Sequence, residues 1–185
     1  MSTLLHGQEP ASLWVKRWSH LLPAHSTVLD MACGHGRHMR HFAELGHTVV
    51  GVDRNPEAIA AVSPLGEAVC ADIENGPWPL TGRTFGGVVV TNYLWRPLWP
   101  QILASLAPSG VLIYETFSEG NETVGKPSRR DFLLQTGELL GMCKGLRVVG
   151  FEEGFIAQPD RFVQRIVAVR EDGDVPTPVR YLISN

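Results

Sequence analysis

The stretch Thr27-Val28-Leu29-Asp30-Met31-Ala32-Cys33-Gly34-His35-Gly36-Arg37-His38 decides the fold. Val28 and Leu29 suit a central strand covered on both faces. Asp30 comes where that apolar run ends. Gly34 and Gly36 lack Cβ atoms where the backbone must turn sharply and a ligand comes close. Beyond them, Met39, Phe42 and Ala43 fall on one side of a helix that runs to Leu45. Strand, glycine turn and helix in this order set a helix N-terminus at a strand's carboxyl end. Such an end attracts the negative part of a ligand, and open α/β sheets bind their ligands there.

Strands and helices alternate downstream. The second strand, residues 48–52, ends at Asp53. Asn55 caps the next helix and Pro56 suits its first position; Ser63-Pro64 ends it. A third strand, 67–71, ends at Asp72-Ile73, and a Pro- and Gly-rich loop covers 75–86. The valine run at 87–91 is a fourth strand ending in Asn92-Tyr93. A helix is predicted over 101–106, a turn at Pro108-Ser109-Gly110 and a fifth strand over 111–115. Residues 118–130 read as a long mobile loop, and 136–143 as a helix. Residues 146–155 and 162–170 read as an antiparallel hairpin turning at Gln158-Pro159-Asp160. Upstream, 11–22 is an amphipathic helix with Leu13, Trp14 and Trp18 at helical spacing. It either packs its tryptophans on the domain edge or covers the glycine turn as a lid. The expectation is an α/β, doubly wound, mostly parallel seven-stranded sheet with the C-terminal antiparallel hairpin at its edge.

The 185 residues suit a single domain, with 1–26 an N-terminal helix and possible lid, 27–170 the core and 171–185 a tail. A hydrophobic share of 44% and a charged share of 19% are those of a globule with a sizeable core. The net charge of -3 argues against non-specific nucleic-acid binding. Cys33, Cys70 and Cys143 are odd in number and far apart, which suits a reducing, cytoplasmic setting. No apolar run approaches the roughly 20 residues of a membrane span, and no signal peptide is visible. All seven histidines precede Thr48, and His35, His38 and His41 recur every third residue. Without a Cys pair or His-Glu motif beside them they read as surface or cofactor-facing groups, and no metal is expected.

Four features fall at the carboxyl ends of strands one to four and so share one rim: the glycine turn, Asp53, Asp72-Ile73 and Asn92-Tyr93. Asp53 follows Gly34 by 19 residues. That is close to the spacing of about 20 at which a carboxylate accepts from a ribose in nucleotide-binding sheets. The plainer alternative is a helix-capping carboxylate. A dinucleotide fingerprint needs a small third residue for close helix packing, and Met39 stands there, which weakens an NAD reading.

In these motifs the chain resembles class I S-adenosylmethionine-dependent methyltransferases, from Thr27 to about Arg170. The first motif is VLDMACGHG (28–36), the second VVGVDRNPEAI (49–59), and the third the acidic position of CADI (70–73). VVVTNY and the region after LAPSG complete the order. Ala32 stands where the first motif usually carries glycine. Within the superfamily the chain is most similar to small methyltransferases of the tellurite-resistance-protein type. The resemblance implies S-adenosylmethionine as cofactor and S-adenosylhomocysteine as product. Ala32, Cys33, Gly34 and Gly36 would lie against the methionine part, with Asp30 orienting the turn or meeting the amino group. Asp53 would hold the ribose, Arg54 flank the adenine, Asp72 accept from the adenine amino group beside the Ile73 backbone, and Asn92 and Tyr93 lie near the transferred methyl. Tyr93 and Glu115 are the catalytic candidates, Glu115 as a base or orienting group. Tyr93, Trp95 and Trp99 form an aromatic wall, or the two tryptophans simply pack a Pro-rich loop. Lys126, Arg129 and Arg130 attract an anionic substrate or are ordinary solvated loop residues. No N-P-P-Y-type sequence follows strand four, which disfavours nucleic-acid amino methylation. The expected acceptor is a small molecule with an oxygen, sulfur or metalloid nucleophile. A non-catalytic S-adenosylmethionine-binding sensor or scaffold and an NAD-dependent oxidoreductase are the alternatives. The sequence is silent on oligomeric state.

Overall fold

Valine-rich runs bounded by Gly, Pro, Asn and Asp become strands because β-branched side chains pack well on a pleated surface and those residues suit turns. In the computed structural model, which describes residues 9–173 and 179–183, seven strands form one sheet. They are β1 (Thr27–Met31), β2 (Thr48–Asp53), β3 (Glu67–Cys70), β4 (Phe85–Thr91), β5 (Leu106–Phe117), β6 (Arg147–Ile156) and β7 (Arg161–Val169). Their order across the sheet is β3-β2-β1-β4-β5-β7-β6. β1 to β5 pair in parallel, while β7 pairs antiparallel with both β5 and β6. The expected architecture is present: the C-terminal hairpin forms the antiparallel end of the sheet, with β7 inserted beside β5 and β6 outermost, running in the same sense as β1 to β5. The side chains account for it. Ile166 to Val169 are buried, as in an interior strand, whereas β6 carries Glu152 and Glu153 and leaves most positions part-exposed.

Helices cover both faces. On one lie α1 (Leu13–Trp18), α2 (Arg37–Glu44) and α3 (Pro56–Val62), and their Trp14, Trp18, Phe42 and Val62 pack with Val28, Val89, Ile113 and Val167. On the other lie α4 (Trp99–Ala104) and α5 (Glu138–Met142), where Ile102 and Leu139 meet Val88, Val90 and Leu112. Each such side chain, fully buried, contributes roughly 1.5–3 kcal/mol. α1 is therefore core: Trp14 is 2% exposed and its Nε1 donates to the Ile166 carbonyl at 3.3 Å. Of the two readings of that helix, packing describes residues 13–18. Ser12 and Asn55 cap α1 and α3 through their side chains, and Gly46 takes φ 83° just past α2.

Three expectations shift. α4 starts at Trp99, after a 3-10 turn over Arg96–Leu98, and ends before Ser105. Pro108 to Gly110 are absorbed into β5 as a wide irregularity, Leu106 pairing with Phe85 and Val111 with Gly87. The segment after β5, expected to be mobile, is tied down. Asn121 is buried; its amide nitrogen donates to the Pro127 carbonyl at 3.0 Å and its oxygen accepts from the Phe162 N–H at 3.2 Å. Arg129 makes an exposed pair with Asp131 at 2.9 Å. The three cysteines are free thiols. Among the described residues no helix is long and apolar enough to cross a membrane. Residues 1–8 of the predicted N-terminal segment, and 174–178 and 184–185 of the tail, lie outside the described residues.

Candidate cofactor cleft

At the carboxyl ends of β1, β2 and β4 the chain leaves two recesses that share Ala32 and Tyr93. The first, about 330 Å³, lies over the glycine turn, with Cys33, Gly34, His38, Thr91 and Asn92 in its wall. The second, about 170 Å³, is bounded by Asp53, Arg54, Asp72, Ile73 and Glu74.

The turn is built from left-handed backbone. Ala32, Gly34 and Gly36 have φ of 51°, 50° and 74°, and Asn92 has φ 53°. Asparagine tolerates that region better than most side chains, and alanine is strained there. A Cβ on Gly34 would meet nothing within 4 Å, so its missing side chain leaves the recess open. Gly36 does a different job from the one expected. It faces α3, where a Cβ would come within 2.6 Å of Val62 Cγ1, so it permits helix packing rather than ligand approach. Met39 also finds its space from a strand glycine: a Cβ on Gly51 of β2 would collide with the Met39 sulfur.

Asp53 ties the turn to β2. Its Oδ2 accepts the Gly34 N–H at 2.8 Å and its Oδ1 the Asn55 N–H at 2.9 Å. Each carboxylate oxygen retains capacity for a second donor, since an ionised carboxylate has about four acceptor positions. Asp72 is exposed and accepts the side-chain amide of Asn75 at 3.0 Å and the backbone N–H groups of Glu74 and Asn75 at 3.0 and 3.2 Å. The Asn75 side-chain bond first, then those two backbone donors, hold its carboxyl below the usual range, so it remains an acceptor.

Asp30 and His38 lie beneath the turn, each 2% exposed. Burial pushes the Asp30 carboxyl up to about 7, against the nearby Arg37 charge. Burial and Arg37 push the His38 imidazole down to about 3. The two stand 4.0 Å apart without forming an ion pair in the neutral range. His38 Nε2 accepts the Ser12 N–H at 3.3 Å, which places its proton on Nδ1, 3.4 Å from Thr91 Oγ1. Asp30 Oδ2 has no hydrogen-bond partner. His38 is thus a buried neutral link between the first residue of the α1 cap and the cleft, not a surface group. His41 is half-buried with Nε2 2.9 Å from Ser19 Oγ. Among the described residues no group of three or more His, Cys, Asp and Glu side chains is placed to hold a metal.

Burial, then the charges of Asp30 and Asp53, push the Cys33 thiol up, so it stays protonated and is no nucleophile. Burial and Glu74 likewise push the Tyr93 phenol above its usual range. Tyr93 is therefore a neutral wall, shared by both recesses. Trp95 and Trp99 do not join it. Trp99 donates to the Met142 carbonyl at 2.5 Å and lies tilted against Tyr114, ring centroids 5.4 Å apart, and both tryptophans pack on the α4 and α5 face. Glu115 stands level with Thr91, but its side chain lies in a separate cavity against Arg165, 3.3 Å away, and does not reach the cleft. The structure thus gathers Ala32, Cys33, Gly34, Asn92 and Tyr93 on one recess and Asp53, Arg54, Asp72 and Ile73 on the other. Asp30 and Gly36 lie beneath and behind. Thr91 enters the site without having been singled out, and His38, one of three evenly spaced histidines, lines it on the cofactor-facing side. Thr91 was legible as the last residue of a strand facing the same side as Asp30.

This sheet order, with a glycine turn after β1 and carboxylates after β2 and β3, is the class I S-adenosylmethionine-dependent methyltransferase fold. Residues 28–109 match the family described as a methyltransferase domain. Among curated proteins none matches the chain. The solved structures it is similar to include TehB from Haemophilus influenzae (TM-score 0.66, 20% identity, 92% of this chain and 64% of that one). A TehB-like SAM-dependent methyltransferase from Corynebacterium glutamicum is similar over 87% of this chain and 89% of that one (TM-score 0.64, 20% identity). A SAM-dependent methyltransferase from Methanosarcina mazei is similar over 88% and 99% (TM-score 0.65, 14% identity). The chain therefore spans 64% of the length of the Haemophilus protein. At these identities the likeness is one of fold.

Proposed function

We propose that this protein transfers a methyl group from S-adenosylmethionine to a small-molecule acceptor with an oxygen, sulfur or metalloid nucleophile. The observation that carries the reading is the pair of joined recesses, one over an open glycine and one bounded by two carboxylates. They fit an elongated ligand with a polar amino-acid end and a nucleoside end. Ala32, Cys33 and Gly34 offer backbone close to the amino-acid end, with the buried Asp30 carboxyl under them. Asp53 has acceptor capacity left for two vicinal hydroxyls, and Asp72 accepts from an adenine amino group with Ile73 beside it. Arg54 flanks that recess.

The cofactor supplies an electrophilic methyl on a sulfonium when bound. The chain's part is position and environment. Asn92, held in a left-handed turn after β4, and Tyr93, kept neutral, wall the point where the two recesses meet, and Tyr93 offers an aromatic face to a cation. Holding acceptor and cofactor in line supplies much of the rate of such a displacement. Among the described residues no side chain in the cleft is set as a strong base, which favours acceptors that are already ionised near neutral pH, such as carboxylates, acidic phenols, thiolates and oxyanions.

Isothermal titration with S-adenosylmethionine and S-adenosylhomocysteine, with NAD as control, tests the reading. Micromolar binding of both adenosyl ligands is expected. Asp53→Ala removes an ionised acceptor from the ribose and frees the Gly34 N–H. It should weaken binding by about 10- to 100-fold, the equivalent of one charge-assisted hydrogen bond. NAD binding in place of the adenosyl ligands would refute the proposal. Binding without turnover across thiols, phenols, carboxylates and metalloid oxyanions would leave a cofactor sensor instead.

A further inference from the structure

A cavity of about 390 Å³ opens between α1 and the turn joining β6 to β7, on the α1 face of the sheet and apart from the cofactor cleft. Its walls combine Trp14 and Ile156 with Arg17, Glu115, Arg161 and Arg165. The charges do not balance. Arg165 donates to Glu152 and, at 3.3 Å, to Glu115, and Arg17 donates to Glu152 at 2.9 Å. Arg17 and Arg165 thus share two carboxylates, and among the described residues the third guanidinium, Arg161, has no ion-pair partner. Two buried polar atoms are also unsatisfied. Glu115 is 1% exposed and its Oε1 has no partner, and Arg161 Nε has none either. A buried polar atom without a partner costs about 1–3 kcal/mol, so both atoms call for a partner from outside the chain, water or ligand.

We propose that this cavity binds an α-amino acid with an apolar side chain. The surplus guanidinium charge calls for a carboxylate, which Arg161 and Arg165 can take with planar, paired donors. The unpartnered Glu115 Oε1 calls for an N–H donor, which an ammonium provides. Glu115 and Arg165 are in contact, so the two charges of the ligand must also be adjacent, as they are on one α-carbon. Trp14 and Ile156 then cover an apolar side chain. The volume falls within the range of about 300–1,000 Å³ typical of small-molecule sites. The site stands on its own residues and does not depend on methyl transfer.

The test is ligand-observed NMR with L-leucine and L-phenylalanine, with 3-phenylpropionate and phenethylamine as the single-charge comparators. The amino acids should bind at millimolar or tighter affinity, with each comparator about 10-fold weaker or more, since each lacks one charge-assisted contact. Glu115→Gln should weaken L-phenylalanine by about 10-fold and leave 3-phenylpropionate unchanged, and Arg161→Gln should weaken both. Arg161 is only part-buried, so its variant serves if the Glu115 variant fails to fold. No binding of either amino acid, or binding that Arg161→Gln leaves intact, overturns the proposal. Titrating S-adenosylhomocysteine into the same wild-type sample reports separately on the cofactor cleft.

Discussion

Ala32 occupies a left-handed position (φ 51°) where an alanine is strained by roughly 1–2 kcal/mol. Glycine removes that strain but gives back about 0.5–1 kcal/mol in chain entropy. Ala32→Gly should therefore raise unfolding stability by about 0.5–1 kcal/mol in urea titration, and a loss would mean that the alanine methyl packs productively. Gly36→Ala goes the other way. It meets the same strain and a 2.6 Å approach to Val62, so a loss of about 2–4 kcal/mol is expected. The buried pair beneath the turn gives a pH test with a definite sign. Asp30 titrates near 7 in the folded protein against 3.8 for a free carboxyl, so on its own it lowers stability as pH rises between those values. His38 titrates near 3 against 6.5, so it lowers stability as pH falls from 6.5 toward 3. Between about pH 4 and 6.5 the folded protein holds one extra proton on Asp30 and lacks one on His38. The two slopes, each up to about 1.4 kcal/mol per pH unit, cancel. His38→Gln should leave stability falling with rising pH in that window, and Asp30→Asn should leave it rising. Identical slopes in the two variants would exclude this assignment of the proton. None of this was legible in the sequence. Asp30 could be read as the end of a strand and His38 as one of three spaced histidines, but their burial depends on packing with the separate segment that carries α1 and its Ser12 cap.

Elements were legible where local pattern and burial agree. The valine runs, the Asn55-Pro56 helix start and Gly46 after α2 each carry their own signal, and β1 is centred on the Val28-Leu29 run that marks it. The rest shares a cause, which is pairing between distant segments. The wide irregularity in β5 depends on Phe85 across the sheet, and the place of β7 depends on which hairpin arm is more apolar. That last signal was present: Ile166-Val167-Ala168-Val169 is an interior run, and Glu152-Glu153 an edge one. The tethering of the segment between β5 and α5 rests on side chains that no local pattern reveals. Arg96 is the clearest case. Its Nε and Nη2 donate to Glu138 at 2.6 and 2.8 Å, and its Nη groups reach the Asp131 and Leu133 carbonyls, both at 2.9 Å. One guanidinium thus joins the turn before α4 to the start of α5. Being about one-third exposed, it is screened, and Arg96→Met should cost only about 1–2 kcal/mol globally. Locally the effect should be larger. Hydrogen exchange at Leu133 and Leu134 should quicken by 10-fold or more, while amides in β1 and β2 stay protected. Uniform acceleration across the sheet would mean that Arg96 supports the whole core instead.

At the scale of the molecule, the continuous sheet governs how stability and ligand binding are shared. β5 is bonded to β4 on one side and β7 on the other, so the C-terminal strands cannot leave without exposing Val111, Ile113 and Val167 of the same cluster that buries Trp14 and Trp18. The described chain should unfold in one step, with far-ultraviolet and near-ultraviolet transitions that coincide. The cofactor cleft draws on β1, β2 and β4, and its second recess is completed by the chain after β3, so a ligand there is linked to the whole transition and not to one corner. If S-adenosylhomocysteine binds only the folded state, adding it at 100 times its dissociation constant should stabilise the protein by about 2.7 kcal/mol. For a chain of this size that is a rise in midpoint of about 5–10 °C. Both spectral probes should shift together and by the same amount. A shift seen by the near-ultraviolet probe alone would show that the tryptophan-bearing face, with α1, melts independently of the strands that form the cleft. Binding there would then stabilise a part of the fold and leave the remainder where it was.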